Sequence, residues 1–176
     1  MSTSVRGLVR LEAEQAVAVL GQLRLDLLKL RAGSIFHADT TTAVSVANAT
    51  ADGYGVSSSA LVNAEVTAYH AHLASVCSAT SGVGCHLSAD STNTVSAAVA
   101  TDVASAITRA NELKADFNAH IGSAVFHPVA DSTNTVSASD ASDEASLVTL
   151  VNQIKTKMNA HFAAGFAHPA IIVVAP

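Results

Sequence analysis

The string ADSTNTVSA runs from Ala89 to Ala97 and again, unchanged, from Ala130 to Ala138, an offset of 41 residues. Carried forward at that offset, residues 89–128 match residues 130–169 at 21 of 40 positions. The matches include Asn118 with Asn159, His120 with His161, His127 with His168 and Pro128 with Pro169. A helix-plus-loop unit has been copied along the chain, and the copy decides the architecture.

A second copy lies upstream. Leu61, Val62, Asn63, Thr67, Ala71 and His72 align with Leu150, Val151, Asn152, Thr156, Ala160 and His161. Here His72 and His86 stand 14 residues apart, where His120 and His127 stand 7 apart, and the insertion holds Cys77 and Cys85. For a chain made in the cytosol these two cysteines read as free thiols rather than a local disulfide.

Helical periodicity recurs between the loops. Val9, Ala13, Ala16, Leu20, Leu23, Leu27 and Leu30 form a heptad seam in the first segment. Val62, Val66, Tyr69, Leu73 and Val76 repeat the spacing, as do Val99, Val103, Ala106, Ala110, Leu113 and Phe117, and Leu147, Val151, Ile154 and Met158. The sequence therefore predicts a single all-α domain over 1–176 with helices near 4–32, 58–77, 98–122 and 141–163. Its repeat units span about 58–97, 98–138 and 139–169. Thr101 or Ser96 is the expected cap of the third helix, and Ser139 or Ser142 of the fourth.

The connectors are rich in Ser, Thr, Asp and Asn, which favour turns, with short extended stretches expected at the β-branched TNTV. Ten extended residues reach ~33 Å, about the length of a 20-residue helix, so up-and-down and parallel crossover connections are both open. After His168 and Pro169 the polar loop gives way to the apolar tail 170–176, AIIVVAP. Ile171, Ile172, Val173 and Val174 are candidates for an oligomer or partner contact, as a terminal strand on a sheet edge, or for a tail tucked against its own helices.

Composition narrows the function. Charged residues are 13% and aromatics 4%, with no Trp, so the chain has few large anchors for its core and gains by burying surface against copies of itself. Residues 1–31 carry five basic and three acidic side chains and the remainder four and eleven, a distribution unlike a nucleic-acid-binding face. No run approaches the ~18 to 20 apolar residues of a membrane span. No leader for export is read at the N-terminus. GxSxG, Walker, GxGxxG, HExxH and CxxC motifs are all missing, and no enzyme is expected.

Eight histidines invite a metal. His86 and Asp90, then His127 and Asp131, stand four apart, and with His168 they are the candidate ligands, since imidazole and carboxylate suit zinc, nickel or iron. That spacing shares a face only on a helix, which Pro128 opposes. The turn-and-packing reading accounts for more. His72, His120 and His161 fall near helix C-termini, where free carbonyls and the dipole favour them, and Leu30 takes the equivalent place in the first helix. His127 and Asp131 then fix a recurrent turn, and no cofactor is expected.

The pattern LxxLxNxLKxxFNAH followed by HxxxDxTNxV, carried here by NELKADFNAHIGSAVFHPVADSTNTVSA and LVNQIKTKMNAHFAAGFAHP, resembles Ala-rich repeats in virion structural proteins of tailed bacteriophages. The resemblance covers roughly residues 58–169. It implies a non-enzymatic particle component, made in the host bacterial cytoplasm and present in many symmetric copies. Its partners would be copies of itself and other virion proteins, in a head-to-tail connector or neck ring ahead of a capsid decoration protein.

Overall fold

The computed structural model describes Leu20 and residues 42–75, 86, 89–127 and 130–164. Three helices form there: α1 (Val56–Leu73), α2 (Val103–Ile121) and α3 (Glu144–Ala163), with no β-strand among the described residues. The all-α expectation holds. The helix expected over 4–32, the two cysteines and the tail 170–176 lie outside the described residues, apart from Leu20, which is helical and exposed.

The caps differ from those expected. Asp102 caps α2 and Asp143 caps α3, each carboxylate accepting from the backbone N–H of the serine three residues on, Ser105 or Ser146. Those serine hydroxyls in turn accept from the Asp102 and Asp143 N–H groups, a reciprocal box. A carboxylate meets the positive end of the helix dipole, an attraction that the expected Thr101 or Ser142 hydroxyl lacks. These two residues instead donate their backbone N–H to the same serine hydroxyls. Asp143→Ala is expected to cost ~1 kcal/mol in urea unfolding, a usual loss for an N-cap. The start of α1 is built otherwise. Gly55 is left-handed at φ 71, where an added Cβ would meet a Val103 methyl carbon at 2.7 Å. Asp52 lies beneath it, accepting from the amides of Tyr54, Gly55, Val56 and Ser57, bonds that hold its pKa at about 2.

The three helices run parallel. At their starts, the Ser59 hydroxyl donates to the Asp102 carbonyl, and Glu144 accepts from the amides of Asp52 and Gly53. At their ends, the rings of His72, His120 and His161 lie 5.1 to 6.2 Å apart. Parallel helices in one chain need crossovers, so of the two connectivities the connectors allow, the chain uses the longer return.

Equivalent positions of the three units fill the core. Ser58, Ala106 and Leu147 are fully buried, as are Val62, Ala110 and Val151, then Glu65, Leu113 and Ile154, then Tyr69, Phe117 and Met158. Tyr69 meets Phe117 edge-on at 6.0 Å, a favoured aromatic geometry. Arg109 stands where the other units have Leu61 and Leu150, and its guanidinium donates to the Ala97 carbonyl.

The connectors, with their expected short extended stretches at TNTV, form no β-strand among the described residues. Asparagine side chains take the place of a neighbouring strand. Asn63 of α1 accepts from the Ala100 N–H and donates to the Ala100 carbonyl, both at 2.9 Å. Asn111 of α2 does the same to Ala141, and Asn152 of α3 to Ala49. Asn118 and Asn159 grip Val136 and Val44 in the same way. Each helix thus holds the connector that leads into the next, and Asn152, 103 residues from Ala49, closes the circle. A primary amide presents a donor and an acceptor side by side, which is what one extended residue requires.

Candidate metal centre

The parallel course of the helices brings their last turns together, and each copy delivers a histidine there. His72, His120 and His161 point into the bundle with no solvent exposure. They stand in the last turn of each helix, and their burial agrees with the reading of these places as packing positions. His86 and His127 enter from the two connectors and are equally buried. Ring centroids are 4.4 Å apart for His72 and His86, 4.8 Å for His86 and His120, and 4.6 Å for His120 and His127. One ring nitrogen from each of His72, His86, His120 and His127 lies within 4.8 Å of the others.

The repeat motif explains how the rings are held. In HxxxDxTN, Asp90 accepts from the amides of Thr92 and Asn93 through one oxygen, and through the other from the Asn93 side chain and His120 Nδ1, at 2.8 Å. Asp131 repeats every one of these bonds with Thr133, Asn134 and His161. One carboxylate thus fixes its own turn and orients the histidine of the following helix. Burial pushes both carboxyls upward, but the bonds from asparagine, histidine and backbone outweigh it and hold them below the usual range. Burial pulls His120 down to about 4, against the bond from Asp90, which leaves the imidazole neutral near pH 7. His86 Nδ1 sits 2.9 Å from the Ser75 carbonyl.

Of the residues expected as ligands, His86 and His127 come together. Asp90 stands behind His120, and Asp131 behind His161, as orienting groups. His168 lies outside the described residues, as do Ile171, Ile172, Val173 and Val174. His72 and His120 were missed as members of the cluster. Their signal was that His120 and His161 fall in phase with the apolar seams of their helices, and that His72 aligns with His161 in the repeat.

Four buried imidazoles converging at the C-terminal ends of three helices make a setting for a cation. The helix ends carry partial negative charge, and Asp90 adds a full one through His120. Comparison with protein-family models, with curated proteins and with solved structures gives no match. No family is assigned. Among the described residues no helix is long and apolar enough to cross a membrane.

Proposed function

We propose that this chain is a non-enzymatic structural subunit of a tailed-phage particle. It works as a symmetric oligomer, in a head-to-tail connector or neck ring rather than as a capsid decoration. One observation carries the structural role: the polar residues of the repeat are spent on the chain's own frame. Asp90 and Asp131 hold turns and histidines, Asn111 and Asn152 hold connectors, and Asp102 and Asp143 cap helices. Glu112 and Gln153 bind the amides of Ser96 and Ala97, and of Ser137 and Ala138. Side chains committed in this way favour rigidity over turnover. The virion setting rests on the resemblance of residues 58–169 to phage particle proteins, and low charge suits subunits that pack on one another.

Native mass spectrometry of the purified chain tests the assembly role, and immunolabelling of intact particles tests the location. A closed ring and label confined to the neck support the reading. A monomer, or label spread over the capsid, counts against the connector. Deleting residues 170–176 is expected to abolish the oligomer while leaving the helical circular dichroism unchanged; an intact oligomer would remove the tail from the interface.

A further inference from the structure

We propose that His72, His86, His120 and His127 bind one zinc ion at the C-terminal end of the bundle. The metal would be a structural staple that ties α1 and α2 to the two connectors that follow them. This goes beyond the assembly role and stands whether or not the chain belongs to a particle.

The tautomers carry the argument. A carbonyl oxygen only accepts, so the Ser75 carbonyl, 2.9 Å from His86 Nδ1, places a hydrogen on that nitrogen. The Asp90 carboxylate does the same at His120 Nδ1, at 2.8 Å. In the neutral form of either ring Nε2 is then a lone pair, and these two Nε2 atoms face each other at 3.2 Å, the geometry of two donors turned toward one ion. The Nε2 of His72 lies 3.1 Å from that of His86. A hydrogen on His72 would serve its own contact with His86 and leave the contact between His86 and His120 as lone pair against lone pair. A cation placed among them satisfies both contacts.

The distances fit zinc. With Zn–N bonds of ~2.0 to 2.1 Å, the edge of a regular tetrahedron is ~3.3 to 3.4 Å. The Nε2 pairs at 3.1 and 3.2 Å fall just inside that edge, and His127 completes a set of four within 4.8 Å. The charge fits as well. Imidazole ligands bring no negative charge to a divalent ion, and one carboxylate, Asp90, lies one hydrogen bond behind the cluster on His120, while a second, Asp131, holds His161, whose ring centroid is 5.1 Å from those of His72 and His127. A ligating histidine that donates its other N–H to a carboxylate or a carbonyl is the usual supporting arrangement of zinc sites. Four buried imidazoles match a closed structural site rather than a catalytic one, which keeps a position for water.

The experiment uses the full chain, stripped with chelator and then titrated with Zn²⁺, with metal mass read by native mass spectrometry. One zinc per chain is expected, with a higher melting temperature in zinc than in chelator. Co²⁺ in its place is expected to give the intense visible absorption of a tetrahedral site. His86→Ala and His127→Ala should each lose the stoichiometric metal, whereas His70→Ala, on the exposed side of α1, should keep it. Asp90→Asn, at a positioning residue, should keep one zinc per chain with affinity reduced about 10- to 100-fold. A folded wild-type chain that retains neither metal would overturn the proposal, as would unchanged zinc affinity in both His86→Ala and His127→Ala. Should those variants fail to fold, the cobalt spectrum of the wild-type chain decides, and octahedral absorption refutes the site.

Discussion

Asn152→Leu is expected to destabilise the chain by ~2 to 4 kcal/mol, although the side chain is one polar residue on the flank of α3. Its amide serves the N–H and the carbonyl of Ala49, a buried residue, at 2.8 and 3.0 Å. Leucine supplies neither partner, and a buried backbone group left unmade costs ~1 to 3 kcal/mol. Two such groups at one residue set the estimate, less whatever water recovers at the edge of the connector. Urea unfolding gives the magnitude, and hydrogen exchange gives the location: the Ala49 amide should lose its protection well before the amides of α2. Thr156→Ala, on the same helix, removes only an exposed bond from the hydroxyl back to the Asn152 carbonyl and should change stability by less than ~0.5 kcal/mol. Equal effects of the two substitutions would refute the clamp.

Glu65→Leu is expected to act in the opposite direction, adding ~2 to 4 kcal/mol. Glu65 is fully buried where the other units place Leu113 and Ile154. Its oxygens have no partner of good hydrogen-bond geometry among the described residues. Burial pushes its carboxyl well above the usual value of 4.5, and the Lys155 backbone and ammonium offset this only in part. An unsatisfied buried polar group costs ~1 to 3 kcal/mol, and a buried leucine contributes ~1.5 to 3 kcal/mol. Glu65→Gln separates charge from packing. Between pH 4.5 and the raised folded value, the unfolded wild-type chain gives up a proton that the folded chain keeps. Wild-type stability therefore falls as pH rises through that window, and the glutamine variant lacks this loss. The gap between the two should be small below pH 4.5 and widen above it; a gap independent of pH would mean that the carboxyl ionises in place.

Glu65 also explains what was hard to read in the chain. The axial positions of α1 are Ser58, Val62, Glu65, Tyr69 and His72, and three of these five are polar. The apolar pattern instead points to Val62, Val66, Tyr69, Leu73 and Val76; of these, Val62 and Tyr69 are axial, Val66 and Leu73 are buried but outside that set, and Val76 lies outside the described residues. In α2 and α3 the seam was legible from Ala106 and Leu147 onward, since Ala106, Ala110, Leu113 and Phe117, and Leu147, Val151, Ile154 and Met158, are all buried, whereas Val99, its expected start, precedes α2 and is exposed. The parallel course was not, because a polar connector has the same composition whether it returns along a bundle or runs on. The roles of Asn63 and Asn152 depend on partners 37 and 103 residues away, beyond any local pattern. The histidine cluster was half legible. Repetition marked His86 and His127 with their aspartates. The convergence of His72 and His120 on them follows from three helices ending together, a property of the assembled bundle.

The clamp of Asn152 on Ala49 also limits how such a chain can grow. Repeat proteins that stack in a line leave the end unit's face open, and a further copy extends them. Here each described unit's asparagine reaches the connector of the next, and the last reaches back before the first, so the three described units close a circle. A further 41-residue copy after α3 fits only by breaking the clamp of Asn152 on Ala49 and closing a wider circle. Insertions in the connectors enlarge the chain with the circle intact, and the seven extra residues between His72 and His86 are an example.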